Sequence, residues 1–310
     1  MAILLTIFLY AVWSSIFPLG KMALEIAPPI FLTSSRMLLA GVLIILYLLL
    51  KKRDSLKLSL KQIFSLLLLG LFSIYLTNVC EFYGLKHLTA AKTCFIYSLS
   101  PFFTALFSYI HFKEKMDGRK WLGLMIGFIG VLPVLMIQSG SENLLQAFSF
   151  ISWPELAVMG AALFSVYGWV LLRLAVKNQT ISPIAANGIS MLFGGFLALI
   201  HSLTTEGWSP IPISLENLPK LTSLLLTMTL ISNVLCYNLY GYLLKRYTAT
   251  LLSFVGLLSP IFASVTSWFL IGEEPSWIIF LSTALIASGL YIVYQSELRQ
   301  GYILKKVKSA

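Results

Sequence analysis

Glu81 has more chemistry to offer than any other residue in this chain. It stands late in a long apolar run, with Asn78 one helical turn before it. An acid at membrane depth costs roughly 2.5–3.5 kcal/mol on insertion scales and marks a binding or ion-handling site by default. The plainer reading puts it at the membrane interface, paired with Lys86. Arg36 stands near the start of another apolar run. It either holds a carboxylate or fixes helix packing through carbonyls and Glu81, and the packing role is the first expectation. Lys92 opens a further run, where it either snorkels outward or faces inward as an anion contact. Asn233, Tyr237 and Tyr240 follow the i, i+4, i+7 spacing of one helix face. Their polar atoms therefore face protein or water rather than lipid.

These residues are related by an internal copy. Residues 83–130 shifted by 159 fall on 242–289 without a gap: Tyr83 on Tyr242, Ser100-Pro101 on Ser259-Pro260, Glu114 on Glu273, Gly130 on Gly289. A second stretch repeats at a shift of 154, with Pro29 on Pro183, Met37-Leu38 on Met191-Leu192 and Gly41 on Gly195. The shift of 159 carries Asn78 to Tyr237 and Glu81 to Tyr240. The shift of 154 carries Trp13 to Tyr167 and Arg36 to Ser190. Trp13 and Tyr167 are thus expected to line one cavity and stack a planar substrate, whereas Trp153, Trp208 and Trp277 read as interface belts. Pro101 and Pro260 each remove a backbone hydrogen bond in mid-run, as hinges or as inherited kinks. The glycines of these runs suit close helix packing.

The elements that must carry these positions follow from composition. Of 310 residues 58% are hydrophobic and only 11% charged, against about 25% charged in a soluble domain. Ten apolar segments approach the ~20 residues a spanning helix needs, near 2–20, 30–50, 62–84, 88–112, 119–137, 153–173, 182–204, 220–244, 248–271 and 276–294. The even-numbered loops and the C-terminal tail hold 17 of the 22 Lys and Arg residues, while the opposite loops hold Lys21, Lys86 and Lys220 beside acids such as Glu206 and Glu216. The positive-inside rule then places both termini in the cytoplasm. It also accounts for the net charge of +10 through the anionic inner leaflet, without nucleic acid. Five spans per copy is an odd number, so the second copy enters the membrane inverted, the usual build of a secondary transporter.

The chain resembles the EamA-type drug/metabolite transporters, with two tandem repeats. Ser35-Arg36-Met37-Leu38-Leu39-Ala40-Gly41 is similar to the family's F-R-x-x-x-A-G, with Ser35 in place of the aromatic. Leu99-Ser100-Pro101 running to Glu114, then Gly123, Gly127 and Gly130, resembles its fourth and fifth spans. Leu258-Ser259-Pro260 to Glu273-Glu274 repeats the pattern. The resemblance implies ten helices around a central cavity and movement of small organic solutes without ATP. One branch of similar architecture takes up S-adenosylmethionine, which makes that molecule the most concrete candidate, with amino acids beside it.

The expected architecture is therefore an all-α integral membrane protein of the inner membrane. It has a first repeat over 1–138, a second over 152–296 and a basic cytoplasmic tail over 297–310. The expected site is Trp13, Asn78, Glu81, Tyr167, Tyr237 and Tyr240, with Arg36, Lys92, Pro101 and Pro260 in structural or gating roles. The expected partners are a small-molecule substrate, membrane lipid and a second copy of the chain. No cofactor, metal or nucleic acid is expected. Cys80, Cys94 and Cys236 read as small buried hydrophobes, and His87, His111 and His201 sit at span ends without a proton-relay role. The competing class is a membrane-embedded enzyme acting on lipid, but no paired carboxylate, HxxxxD or Ser-His constellation is visible. A GxxxxGK[ST] nucleotide loop is also lacking.

Overall fold

The computed structural model describes residues 2–88, 93, 96–97, 99–138, 152–177, 181–209, 211–245, 247–271 and 278–301. Lys92, Cys94, Glu273, Glu274 and Trp277 lie outside them. The described residues form helices and no strand. These are α1 (Ala2–Trp13), α2 (Ile16–Leu24), α3 (Pro29–Lys51), α4 (Leu60–Leu69), α5 (Thr77–His87), α6 (Ser100–Phe112), α7 (Gly118–Gln138), α8 (Trp153–Lys177), α9 (Pro183–Thr205), α10 (Leu218–Met228), α11 (Tyr237–Leu243), α12 (Ala249–Val255), α13 (Ser259–Ile271) and α14 (Ile278–Arg299).

Six helical stretches among the described residues are long and apolar enough to cross a membrane: Leu4–Leu24, Pro29–Lys51, Leu60–His87, Trp153–Lys177, Pro183–Thr205 and Leu215–Leu243. The other four expected spans fall on helices that are broken or that run beside residues outside the described set. Large apolar side chains such as Leu50, Leu60, Phe64 and Phe196 are exposed. Such a surface fits a lipid solvent, where apolar exposure costs nothing.

Local signals set the helix ends. Pro29 and Pro183, repeat equivalents, each open a helix at the position where a missing N–H is harmless. Ser182 caps α9 by accepting from the N–H of Ala185 at 3.1 Å. The start of α3 is capped from the other half of the chain. The Glu206 carboxylate, just past α9, accepts from the N–H groups of Ile30 (2.7 Å) and Phe31 (2.6 Å).

That cap requires α3 and α9 to run antiparallel, and their glycines agree. A Cβ on Gly41 would meet Leu192, and one on Gly195 would meet Leu38. Gly41 and Gly195 are repeat equivalents, as are Leu38 and Leu192, so the contact is reciprocal. A two-fold relation between like surfaces makes contacts of this form. The α7–α14 pair repeats it: Gly130 faces Leu285 and Ile286, while Gly289 faces Gly123 and Gly127. These are the two most extensive helix contacts among the described residues.

Two stretches depart from α-helix at matching places. Gly70–Leu76 and Thr229–Cys236 are π-helical and lead into α5 and α11. The shift of 159 maps one onto the other. π segments are rare and are often found at functional sites. In the first, the loosened carbonyls of Phe72 and Ile74 accept from Thr77 Oγ1 and Asn78 Nδ2, both at 2.8 Å.

A buried ionic cluster closes the end of the bundle near the basic loops. Arg173 pairs with Glu114 and covers the Phe112 ring at 4.1 Å. Lys120 lies 3.4 Å from Glu297, which also accepts from the Thr248 hydroxyl. Asp117 caps α7 through the Lys120 N–H at 2.9 Å and accepts from Ser296 Oγ at 2.8 Å, which ties α7 to α14. Buried charges this far from water need such partners.

Candidate functional site

The helices enclose a cavity of about 160 Å³ between the two halves. Three of the elements around it are broken helices, and proline explains the breaks. Pro18 cannot bond to the carbonyl of Ser14, so the first helical stretch interrupts after Trp13. The hydroxyls of Ser14 and Ser15 fold back onto the carbonyls of Ala11 (2.9 Å) and Val12 (2.7 Å). Pro101 and Pro260 sit at the starts of α6 and α13, at a turn at Leu99 and a 3₁₀ turn over Gly256–Leu258. Ser14, Ser100, Gly256 and Ser259 all line the cavity beside these breaks. Pro101 itself is buried in helix packing.

One wall is aromatic. Trp13 of α1, Trp169 of α8, and Tyr237 and Tyr240 of α11 form a mutual cluster. Ring centroids are 5.7 Å apart for Trp13–Trp169, 5.3 Å for Trp13–Tyr237, 5.2 Å for Trp169–Tyr237 and 4.1 Å for Trp169–Tyr240. Tyr10 stacks on Trp13 at 6.1 Å. The Trp13 indole N–H donates to Ser232 Oγ at 3.2 Å, which fixes the ring plane. Rings held with their faces or edges toward a cavity suit a flat heterocycle and a cation.

The other wall carries the charge. Asn78 and Glu81 of α5 face the cavity beside Arg36 of α3. Arg36 donates to Asn78 Oδ1, and its guanidinium lies 4.9 Å from the Phe82 ring centroid. Glu81 accepts from the Tyr97 hydroxyl at 2.9 Å. Lys86 is exposed and takes no part. A carboxylate, a guanidinium and an aromatic wall thus share one cavity, and no ion pair joins Arg36 to Glu81.

Of the residues expected from the sequence, Trp13, Asn78, Glu81, Tyr237 and Tyr240 line this cavity. So does Arg36. Tyr167 does not. It packs against Phe72 (5.0 Å), Phe107 (5.5 Å) and His111 (5.8 Å) on a neighbouring face of α8. Two residues further on, Trp169 takes the cavity place, about 200° round the helix. Lys92 lies outside the described residues, and Pro260 falls in the first turn of α13. Tyr10, Tyr97, Trp169 and Ser232 also line the cavity and are not among the expected site residues, although Trp169 follows Tyr167 by two positions. For Trp169 a signal existed: Ala162, Val166, Trp169 and Arg173 form a buried stripe at helical spacing. For Tyr97 there was none, because its partner Glu81 lies on a different element.

Apolar helices around a central polar and aromatic cavity, built from matching halves, define the class of small-solute carriers. The chain belongs to the EamA-like transporter family, whose profile matches residues 1–136 and 152–295. Among its relatives, a protein of Chlamydia trachomatis serovar L2 named S-adenosylmethionine/S-adenosylhomocysteine transporter is 42% identical over 98% of this chain and 92% of its own length. A Chlamydia muridarum protein of the same name is 40% identical over 98% of this chain and 95% of its own. A Bacillus subtilis relative, the uncharacterized transporter YyaM, is 29% identical over 67% of this chain. A solved crystal structure shares the fold with a TM-score of 0.74 over 95% of this chain, at 17% identity.

Proposed function

We propose that this chain carries S-adenosylmethionine and S-adenosylhomocysteine across the inner membrane as a secondary carrier. In this reading it has ten helices in two inverted halves and cytoplasmic termini, and it works by alternating access rather than as an enzyme. The observation that carries the substrate is the cavity itself. Its aromatic wall suits an adenine ring beside a sulfonium, and its Glu81–Arg36 wall suits an amino-acid end. Relatives at 40–42% identity carrying that name point to the same molecule.

The inverted arrangement is supported by the antiparallel packing of repeat-equivalent helices. If α3 and α9 both cross the membrane and run in opposite senses, the halves that contain them enter from opposite sides. The reciprocal Gly41–Leu192 and Gly195–Leu38 contacts agree with this. The buried Arg173–Glu114 and Lys120–Glu297 pairs close the side that the basic loops mark as cytoplasmic.

Uptake of labelled S-adenosylmethionine into proteoliposomes tests the reading. Uptake should rise when S-adenosylhomocysteine is preloaded inside and should need no ATP. Uptake no faster than in protein-free liposomes, under either preloading condition, removes the substrate.

A further inference from the structure

Arg36 has a feature that helix packing does not explain. Its side chain is 3% exposed, yet Nε and Nη1 have no hydrogen-bond partner. Only Nη2 is used, by Asn78. Asn78 is in turn held by the Ile74 carbonyl of the π segment, so the guanidinium is gripped at one corner. Phe82 lies beside the guanidinium and helps to fix its position. The residue lines the cavity. A buried guanidinium with idle donors is costly, because burial removes the water that would otherwise satisfy them. Glu81, the nearest acid on the neighbouring helix, accepts from Tyr97 instead of closing on Arg36. The partner that completes Arg36 therefore enters from the cavity.

We infer that Arg36 is the anchor for the substrate's α-carboxylate, with Glu81 placed to receive the α-ammonium. This rests on the substrate reading above and adds to it which end of the molecule is recognised, and where. Guanidinium is the side chain suited to carboxylate, through planar paired N–H donors that stay charged. Asn78 and Glu81 are three residues apart on α5, about 5–6 Å between Cβ atoms. Arg36 sits at the first and Glu81 is the second, so the two charges are offset by one helical turn. An α-amino acid presents its two charges on one carbon, which a pair of poles at this separation can bracket. The repeat equivalent of Arg36 is Ser190, so this anchor exists in one half only. It gives the bound molecule a single orientation, with the heterocycle directed to Trp13, Trp169 and Tyr240.

The test compares two ligands on purified protein by equilibrium binding: S-adenosylmethionine and its decarboxylated analogue, which keeps adenine, sulfonium and amine. Wild type should bind the first at least ten-fold more tightly. Arg36→Gln should lose ten-fold or more for S-adenosylmethionine and stay within three-fold of wild type for the analogue. Arg36→Lys should fall between for the first ligand alone. Equal losses for both ligands would show that Arg36 acts only by holding Asn78 and the helix, and would overturn the inference. If Arg36→Gln does not fold, the wild-type preference and Arg36→Lys decide it. Binding of both ligands with equal affinity to wild type overturns the anchor alone. Binding of neither overturns the substrate reading together with it.

Discussion

Replacing Glu81 with Gln tests the charged wall with the least disturbance. The amide has the same shape, and its oxygen can still accept from the Tyr97 hydroxyl now 2.9 Å away. No lipid-facing group is added, so folding should hold. What disappears is the negative charge available to a bound cation. Hydrogen bonds to charged groups contribute about 1.5–3 kcal/mol and neutral ones about 0.5–1.5. The difference, about 1–1.5 kcal/mol, corresponds to a loss of affinity of about 5- to 12-fold. Calorimetry on protein in nanodiscs would read it directly, with uptake into proteoliposomes as the functional measure. Running S-adenosylhomocysteine in parallel separates the two cations. It has the α-ammonium but no sulfonium. Equal losses for both ligands fit Glu81 as the ammonium partner, whereas a loss confined to S-adenosylmethionine would place the sulfonium there. If Glu81→Gln binds and transports both within two-fold of wild type, the carboxylate takes no part and the proposed site is wrong.

Tyr240→Phe should cost about 1 kcal/mol of binding, one hydroxyl hydrogen bond, and leave the aromatic wall in place; a loss above 30-fold would show that the hydroxyl does more than this. Gly195→Ala puts a Cβ 2.9 Å from the Leu38 backbone nitrogen and should destabilise by about 1–3 kcal/mol, while Gly160→Ala, within α8 and with nothing nearer than 3.7 Å, should raise the melting temperature slightly, because alanine favours a helix interior over glycine. A cysteine at exposed Lys57 should resist an impermeant reagent in intact cells, since the proposed topology puts its loop in the cytoplasm; rapid labelling would reverse that topology. Burial pushes the Asp117 carboxyl up, but the Lys120 N–H, the Ser296 hydroxyl and the Lys120 charge together hold it below its ordinary 3.8. Its stabilising contribution is present above that pH and is lost as pH falls through the lowered value. Stability should drop on acidification below about pH 4, and Asp117→Asn should flatten that drop.

Much of the frame was legible because it repeats. The shift of 159 that aligns Ser100-Pro101 with Ser259-Pro260 also aligns the starts of α6 and α13, and it carries one π segment onto the other. The glycines pointed to close helix packing, but the α3–α9 and α7–α14 pairings come from the structure. The π segments themselves were not legible, since no residue type demands them. Tyr167 shows where repeat arithmetic fails. Counting from Trp13 by 154 assumes that both helices keep the same rotation. The first interrupts at Ser14–Ser15 because of Pro18, while α8 runs unbroken over 25 residues. Position 172, where the shift would put a second proline, is Leu172. Equivalent places in space are then filled by residues two positions out of step, and Trp169 is the partner of Trp13. The Arg36–Asn78 bond was equally hidden. The sequence offered Glu81 as the partner of Arg36, and only the geometry of α5 shows that Asn78 is the residue that reaches it.

The two halves agree where they touch each other and differ at the charged and aromatic positions of the cavity, although the equivalent Ser100 and Ser259 are kept there. Gly41 and Gly195 match, as do Pro29 and Pro183, because helix packing and helix starts must be the same for two like bundles to face one another. Lining positions have diverged instead: Asn78 and Glu81 against Tyr237 and Tyr240, Arg36 against Ser190. This division follows from what each set must do. A carrier that opens to either side gains from halves that can exchange conformations at similar energy, which symmetric packing provides. A substrate with a charged end and a flat aromatic end has no such symmetry. A site with equal halves would hold it in two opposed orientations, each with half of its polar groups unpaired. Placing charge on α3 and α5 and rings on α1, α8 and α11 removes that degeneracy while leaving the helix contacts intact. On this argument, exchanging the lining residues between halves should move the ligand's orientation without changing the fold, whereas a side chain placed at Gly41 or Gly195, where a Cβ meets Leu192 or Leu38, should disturb the fold without setting the orientation.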